Sequence, residues 1–244
     1  MRTGNPVLSQ STFRDVPHTG TSQMTLAGTV QATLIFTVLL MASAMFTWNK
    51  ATVDPASAMI WVAGGGIAGL VLALITVFKK EWAGVTGGLY AIAEGLLLGG
   101  LSARYEAQFN GIVLQAVLLT GGTLFALLAA YSMRLIRATE NFKLSVAAAT
   151  GGIFLVYITT WILGLFGIHI PWIHESGMVG IGFSVFVVVL AALNLVLDFD
   201  FIEQGCEQGA PKYMEWFAAF GLLVTLVWLY IEILRLLSKL AKRD

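Results

Sequence analysis

The sequence predicts an all-α integral membrane protein, a seven-transmembrane-helix bundle, and three observations predict it. Of the 244 residues, 57% are hydrophobic and only 11% are charged. The mean hydropathy is +0.82. An average soluble domain has about 25% charged residues, so this chain has too few to cover a water-facing surface. Finally, seven stretches of the sequence are long and apolar enough to cross a bilayer core of about 30 Å, which takes about 20 residues per helix.

Composition and charge also exclude whole classes of function. The low charge content excludes a soluble enzyme and a disordered regulator. Lys and Arg number 14, as do Asp and Glu, which leaves no net basic field to hold a phosphate backbone. We therefore expect the lipid bilayer as a partner, and no nucleic acid.

The chain divides into a polar tail, one membrane domain and a short basic end. Residues 1–25 contain two prolines and have no apolar core of the kind that a cleavable signal peptide needs. Residues 238–244 form the basic C-terminal tail. Between them, residues 26–237 form a single seven-helix domain with short connections, which predict antiparallel neighbours. The predicted spans are 26–47, 57–78, 84–103, 111–132, 144–166, 178–201 and 214–237.

Each gap between the predicted spans contains a polar boundary signal. The six signals, in chain order, are Asn49-Lys50 with Asp54-Pro55, Lys79-Lys80-Glu81, Arg104 to Asn110, Arg134 to Lys143, His169 to Gly177, and Glu203 to Lys212.

The positions of Lys and Arg predict the orientation, because these residues concentrate on the cytoplasmic side of membrane proteins. The loops after spans 1, 3 and 5 contain only Lys50 and Arg104. The N-terminal tail and the other loops contain eight: Arg2, Arg14, Lys79, Lys80, Arg134, Arg137, Lys143 and Lys212. This distribution favours a cytoplasmic N-terminus. The C-terminal cluster of Arg235, Lys239, Lys242 and Arg243 disagrees with it, because seven crossings would place that cluster outside.

Most familiar enzyme chemistry is absent from the sequence. There is no Gly-Lys-Ser/Thr phosphate loop and no His-Glu-x-x-His zinc helix, and Cys206 is the only cysteine. His18, His169 and His174 all fall in polar segments, so we interpret them as solvated residues and not as metal ligands. We expect no enzyme activity, no firm metal site and no cofactor.

The acidic residues are the best candidates for function. Carboxylates at membrane depth are costly, and they mark ion or proton pathways by default. Only Glu94 lies near the middle of a span, where the alternative is a structural hydrogen bond to a neighbouring helix. Asp198 and Asp200 lie near the end of span 6. The alternative interpretation of Asp198 is a structural one, in which its carboxylate is simply hydrated at the end of the helix. Together with Glu203, Glu207 and Glu215 they form an acidic group around the turn between spans 6 and 7, where Lys212 is the only base.

Helical periodicity sorts these candidates by face. Ser184, Ala191, Asn194 and Asp198 recur near multiples of the helical repeat, so they form one small and polar stripe that faces protein or water. Asp200 is about 200° around the helix from Asp198, and we expect it at the membrane interface.

In the last turns of span 7, Glu232 has Arg235 three residues later. Residues three apart are neighbours on a helix surface, so we expect a local pair that reaches the interface.

Pairs of small residues four apart let membrane helices approach closely. Three such pairs are Gly65 with Gly69, Gly95 with Gly99, and Gly180 with Ser184; Gly121-Gly122 and Gly151-Gly152 lie inside spans 4 and 5. We interpret all of them as packing contacts within one chain, with a hinge or a dimer seam as the alternative.

Two runs of sequence carry a family resemblance. The run Asn194-Leu-Val-Leu-Asp-Phe-Asp-Phe-Ile-Glu-Gln-Gly205, followed by Gly209-Ala-Pro-Lys-Tyr-Met-Glu-Trp216, resembles the sixth-span signature of the Bax inhibitor-1/YccA-like membrane protein family, in its longer bacterial branch. Further matches are Phe78-Lys-Lys-Glu-Trp82, Leu89-Tyr-Ala-Ile-Ala-Glu-Gly95 and Leu226-Val-Trp-Leu-Tyr-Ile-Glu-Ile-Leu-Arg235.

The resemblance implies a seven-helix fold with a central seventh helix, in a bacterial inner membrane. Some members of the family are pH-sensitive calcium leaks, in which an aspartate of span 6 pairs with one of span 7 and an arginine of span 2 can engage the pair. Asp198 matches the first aspartate and Glu232 matches the second, whereas span 2 here has no arginine. Glu94, Asp200 and Glu232 remain the candidate partners of Asp198.

Our leading hypothesis is a cation leak, with calcium as a candidate ion, that is gated by protonation of interior carboxylates. Its candidate residues are Asp198, Asp200, Glu94 and Glu232, with Asn194 and Ser184 as supporting polar residues. The alternative is a regulator that does not transport and that binds a membrane protease or another membrane protein.

Overall fold

The computed structural model describes residues 22–167 and 177–243. In these residues the fold consists of seven α-helices and one short 3-10 turn, and all seven helices are long and apolar enough to cross a membrane. The prediction of an all-α, seven-helix membrane protein is therefore confirmed. The helices are α1 (Leu26–Val53), α2 (Pro55–Phe78), α3 (Ala83–Gln108), α4 (Ile112–Ser132), α5 (Glu140–Leu165), α6 (Met178–Glu207) and α7 (Met214–Ala241).

Local capping residues fix several helix starts. Asp54 is the only residue between α1 and α2: it ends the first helix, and its carboxylate accepts a hydrogen bond from the Ala56 backbone N–H at 3.0 Å. Pro55 occupies the first position of α2, where its missing N–H costs nothing. Thr139 caps α5 by accepting a hydrogen bond from the Phe142 N–H at 3.3 Å. These side chains satisfy backbone donors that a helix N-terminus leaves open.

Several helices extend beyond the predicted spans. The first continues to Val53 instead of ending near 47, the third to Gln108, the sixth to Glu207 and the seventh to Ala241. The prediction counted apolar residues, which mark the hydrocarbon core, but backbone hydrogen bonds continue into polar sequence. The predicted tail 238–244 therefore begins as helix. The tail 1–21 and the segment that contains His169 and His174 lie outside the described residues, as does His18.

The contacts within the chain divide it into two compact units. The described part of the first, which we call the N-terminal unit, comprises residues 22–110 and Phe201–Val224. It contains α1, α2, α3, the end of α6 and the first half of α7. The C-terminal unit comprises Gly111–Asp200 and residues 225–243, which are α4, α5, most of α6 and the second half of α7.

Glycines bring the helices of the N-terminal unit close together. A side chain at Gly95 would collide with the Leu40 carbonyl and the Ser43 hydroxyl of α1, and one at Gly65 would lie 2.5 Å from the Ala93 carbonyl of α3. For these glycines, the prediction of packing within one chain is confirmed. The glycine pairs 121–122 in α4 and 151–152 in α5 differ, since a methyl group there would have no neighbour within 4 Å. For those two pairs the prediction was wrong.

In the C-terminal unit, apolar side chains of three helices form the core. Val146 and Ile153 of α5 pack with Val187, Leu190 and Leu197 of α6. Trp228 of α7 packs against this cluster. Among the seven described helices, α7 is the most buried, with 78% of its most apolar window inside the protein, compared with 11% for α4 and α5. Most of the surface of α4 and α5 is therefore left for lipid.

Candidate functional site

The polar stripe predicted on α6 lies inside the protein. Ser184 and Asn194 are 1% exposed, and Ala191 and Asp198 are fully buried. Asp198 is nine residues before the end of α6 at Glu207, or about 13 Å along the helix axis. The interpretation of Asp198 as a hydrated helix-end carboxylate is therefore wrong, because the helix continues well beyond the predicted end of the span.

Asn194 connects the stripe to α5. Its Nδ2 atom donates to the Thr150 hydroxyl and to the Leu190 carbonyl, each at 2.9 Å. Its Oδ1 atom is buried and accepts no hydrogen bond from any described residue. The two hydrogen bonds that Nδ2 donates therefore fix the Asn194 side chain, and its Oδ1 atom remains available as an acceptor inside the protein.

Asp200 forms a salt bridge that the sequence did not predict. Its Oδ2 atom lies 2.7 Å from the Nζ atom of Lys143 in α5, and the side chains of Asp200 and Lys143 are 16% and 2% exposed. Glu140, one turn earlier, lies 3.5 Å from the same nitrogen. The treatment of Lys143 as a loop residue is thus wrong, whereas the position of Asp200 at the membrane interface stays a prediction. Lys143 lies in the first turn of α5 and points into the unit.

Glu232 and Arg235 form the expected local pair on α7, with Arg235 Nη1 at 2.8 Å from Glu232 Oε1. Tyr157 of α5 completes a triad: its hydroxyl donates to Glu232 Oε1 and accepts from Arg235 Nη1, both at 2.9 Å. The Glu232 side chain is only 2% exposed and that of Arg235 is 31% exposed, so the carboxylate faces protein, and the prediction that the pair reaches the interface stays a prediction. Its second oxygen, Oε2, is buried and has no hydrogen bond to a described residue.

Lys239 lies two turns further along the same face of α7. Its Nζ atom donates to the Gly180 carbonyl at 2.9 Å and to the Ser184 hydroxyl at 2.8 Å, both in α6. The residue is 4% exposed. Lys239 falls in the predicted basic C-terminal tail. Its contact with Gly180 could not be predicted from the sequence, because the two residues are 59 positions apart.

Glu94 lies in the N-terminal unit and is half-buried on α3. Its carboxylate lies against Gly69 of α2, where an added methyl group would be 2.8 Å from Oε2. This close fit supports the structural alternative for Glu94, in which the carboxylate belongs to a helix–helix contact. The structure thus brings Asp200 to Lys143 and Glu232 to Arg235 and Tyr157, and it places Glu94 against Gly69.

Glu215 belongs to a contact that sequence reasoning missed. It is 4% exposed at the start of α7, and its Oε1 atom accepts hydrogen bonds from the Thr25 N–H at 2.9 Å and the Thr25 hydroxyl at 2.8 Å. Thr25 in turn caps α1 at the Gly28 N–H. A carboxylate at a helix N-terminus is favourable because the backbone dipoles leave partial positive charge there. Glu215 therefore stabilises the start of α1 instead of adding free charge to an acidic turn.

Among residues 22–167 and 177–243, no group of three or more His, Cys, Asp or Glu residues is arranged to hold a metal ion. His169, His174 and Glu175 fall outside these ranges.

Comparison with known proteins identifies the family. A family model described as Bax inhibitor 1 like matches residues 5–242, which is nearly the whole chain. A comparison with curated proteins and one with solved structures each gave no match. The match includes all seven helices and every residue of the polar stripe. With seven helices able to cross a bilayer, the chain is an integral membrane protein that belongs to the Bax inhibitor 1-like family.

Proposed function

We propose that this protein is a pH-sensitive cation leak, with calcium as a candidate ion, whose pathway follows the buried polar stripe of α6. The observation that carries the proposal is the complete burial of Asp198 on that stripe. An ionisable residue that faces the interior of a membrane helix bundle is costly, and such residues generally line ion or proton pathways.

The length of the stripe suits a pathway. Ser184 and Asp198 are 14 residues apart, or about 21 Å along α6, compared with a hydrocarbon core of about 30 Å. Their oxygen atoms, together with the open Oδ1 of Asn194 and Oε2 of Glu232, are of the type that hard cations prefer. The polar stripe is thus long enough to cover most of the thickness of a hydrocarbon core.

Protonation of the interior acids is the proposed gate. Protonation of Asp198 would remove one negative charge from the stripe and change both its attraction for cations and the helix packing around it. Of the other charged groups inside this unit, Asp200 pairs with Lys143, Glu232 pairs with Arg235, and Lys239 bonds to Gly180 and Ser184. Asp198 and Glu232 are the acids that we assign to the pH response.

We further propose a bacterial inner membrane location with the N-terminus in the cytoplasm. The distribution of Lys and Arg supports this orientation. The C-terminal cluster of four basic residues is evidence against this orientation, but two of its members are not tail residues. Arg235 and Lys239 bond to side chains inside the protein, so only Lys242 and Arg243 remain as tail charges.

The proposed leak needs neither an enzyme activity nor a cofactor, and calcium would be its transported ion. The alternative role is that of a regulator that binds a membrane protease or another membrane protein without transporting ions.

The test is calcium entry into liposomes that contain a calcium indicator and the purified protein, compared at about pH 6 and about pH 8, a range in which perturbed carboxylates titrate. The Asp198→Asn variant imitates a permanently protonated acid, so we expect altered flux and loss of the difference between the two pH values. Glu207→Gln removes an exposed acid from the same helix and serves as the matched control. Wild-type flux no greater than that of empty liposomes would reject the leak, and capture of partners from membranes would then test the regulator.

A further inference from the structure

We propose that the Lys239 ammonium group occupies an interior, oxygen-lined site for a small monovalent cation, and that it closes this site to ions. The first part stands on the contacts of Lys239 alone. The second part rests on the proposed leak, because it assigns the site to the end of the same polar stripe.

The geometry around Lys239 is that of a cation site. Its Nζ atom lies 2.9 Å from the Gly180 carbonyl oxygen and 2.8 Å from the Ser184 hydroxyl oxygen. Both of these oxygens are neutral, and both come from the first two turns of α6. Neutral oxygens also replace the hydration shell of potassium in channel filters. Because an ammonium group resembles potassium in charge and size, the position of Nζ favours a monovalent cation of about that size.

The direction of the side chain is unusual for a lysine at a helix end. Long basic side chains near the ends of membrane helices normally extend towards the interface and water. Lys242 and Arg243 follow that rule and are exposed, whereas Lys239 is 4% exposed and points towards α6. Burial of an ammonium group is costly, so its position indicates a specific site.

The position of Lys239 at one end of the polar stripe of α6 explains why it would close the proposed ion path. Ser184 is both a ligand of Lys239 and the first polar residue of the stripe that leads to Asp198. Two other charged groups share the face of α7 that carries Lys239: Arg235 one turn earlier, and Glu232, which pairs with Arg235. The charges in these last turns sum to one positive charge, which would repel an entering cation.

The binding claim is tested by chemical rescue in detergent solution. Lys239→Ala removes the ammonium group and leaves space, so we expect a lower Tm that added ammonium or methylammonium chloride raises in a saturable way, relative to choline chloride. Lys239→Met is the matched control, because its uncharged side chain fills the same space. Rescue of Lys239→Ala alone supports the site. Equal shifts in both variants, or no shift in either, would overturn it.

The closing claim is tested by potassium flux in liposomes. For Lys239→Ala we expect flux at least about tenfold above wild type, because a buried unit charge is a large barrier to a like charge. Lys242→Ala removes an exposed charge directly after the end of α7 and should leave potassium flux unchanged. Ser184→Ala keeps the lysine but removes one ligand, so it should raise flux even if Lys239→Ala does not fold.

The outcomes separate this inference from the proposed function. Calcium flux through the wild type, with no increase in potassium flux in Lys239→Ala or Ser184→Ala, would reject the closing role of Lys239 and leave the leak intact. Ammonium rescue with no flux in any variant, wild type included, would reject the leak and retain the cation site.

Discussion

The Nζ atom of Lys143 lies 2.7 Å from Oδ2 of Asp200, and the lysine side chain is 2% exposed. This pair joins the start of α5 to α6 within the C-terminal unit. Lys143, which the sequence places in a loop, is therefore a buried charged residue. Asp200 has a structural role as its ion-pair partner, whereas Asp198, two residues earlier, belongs to the polar stripe.

We expect Asp200→Asn to destabilise the protein more than removal of both charges does. The single substitution leaves the buried ammonium of Lys143 without its nearest carboxylate, and the loss of one partner costs about 3–5 kcal/mol in fully buried pairs. The double variant Lys143→Met with Asp200→Leu should recover much of this loss. Thermal unfolding in detergent measures both, with Glu207→Gln, which removes an exposed acid from the same helix as Asp200, as the control. A double variant less stable than the single one would contradict the interpretation.

Tyr157 and Glu232 should be energetically coupled. Tyr157→Phe removes the hydroxyl that bonds both Glu232 and Arg235, so we expect a loss of about 1–2 kcal/mol in the free energy of unfolding. Because the three groups share one network, the effects of Tyr157→Phe and Glu232→Gln should not add. A double-mutant cycle measures the coupling, and values of about 0.5 kcal/mol or more are expected for residues in contact. Additive effects would mean that the triad does not form.

Alanine substitutions should distinguish glycines at close helix contacts from glycines that have open space around them. Gly95→Ala places a methyl group against the Leu40 carbonyl and the Ser43 hydroxyl, so α1 and α3 must move apart and the Tm should fall strongly. Gly121→Ala meets nothing within 4 Å and should be neutral or stabilising by up to about 1 kcal/mol, since alanine is the better helix former. Equal effects of the two substitutions on thermal unfolding would show that the contact between α1 and α3 is not as close as described.

Removal of the Glu215 carboxylate should loosen the start of α1. Glu215→Ala leaves the Thr25 N–H and hydroxyl without their acceptor, and lost helix caps cost about 0.5–2 kcal/mol. Gly28→Ala should have a similar effect, because the added methyl group would displace the same carboxylate. Hydrogen exchange of the amides in the first turn of α1 is the direct measurement. Glu207→Ala, an exposed acid near the end of α6, should leave that exchange unchanged.

The local features of this protein were predictable from its sequence. The number and order of the helices follow from hydrophobicity summed over about 20 residues, and the buried face of α6 follows from helical periodicity, which depends only on spacing within one segment. The pair of Glu232 with Arg235 was also predictable, because its members are three residues apart. The ends of the helices were less predictable from the sequence, because backbone hydrogen bonding continues where the apolar sequence stops.

The partners of the charged residues that lie far apart in the chain were decided by tertiary structure alone. Tyr157 meets Glu232 from 75 positions away, and Thr25 meets Glu215 from 190. Neither contact leaves a periodic signal in either segment, because the geometry that joins them is the packing of one helix on another. The sequence therefore determined that acids and bases lie inside the membrane helices. Only the packing determined that Asp200, Glu232 and Glu215 are engaged by Lys143, Tyr157 and Thr25, and that Lys239 points to the first turns of α6, because the energy of a buried charge depends on what the fold places within about 3 Å of it.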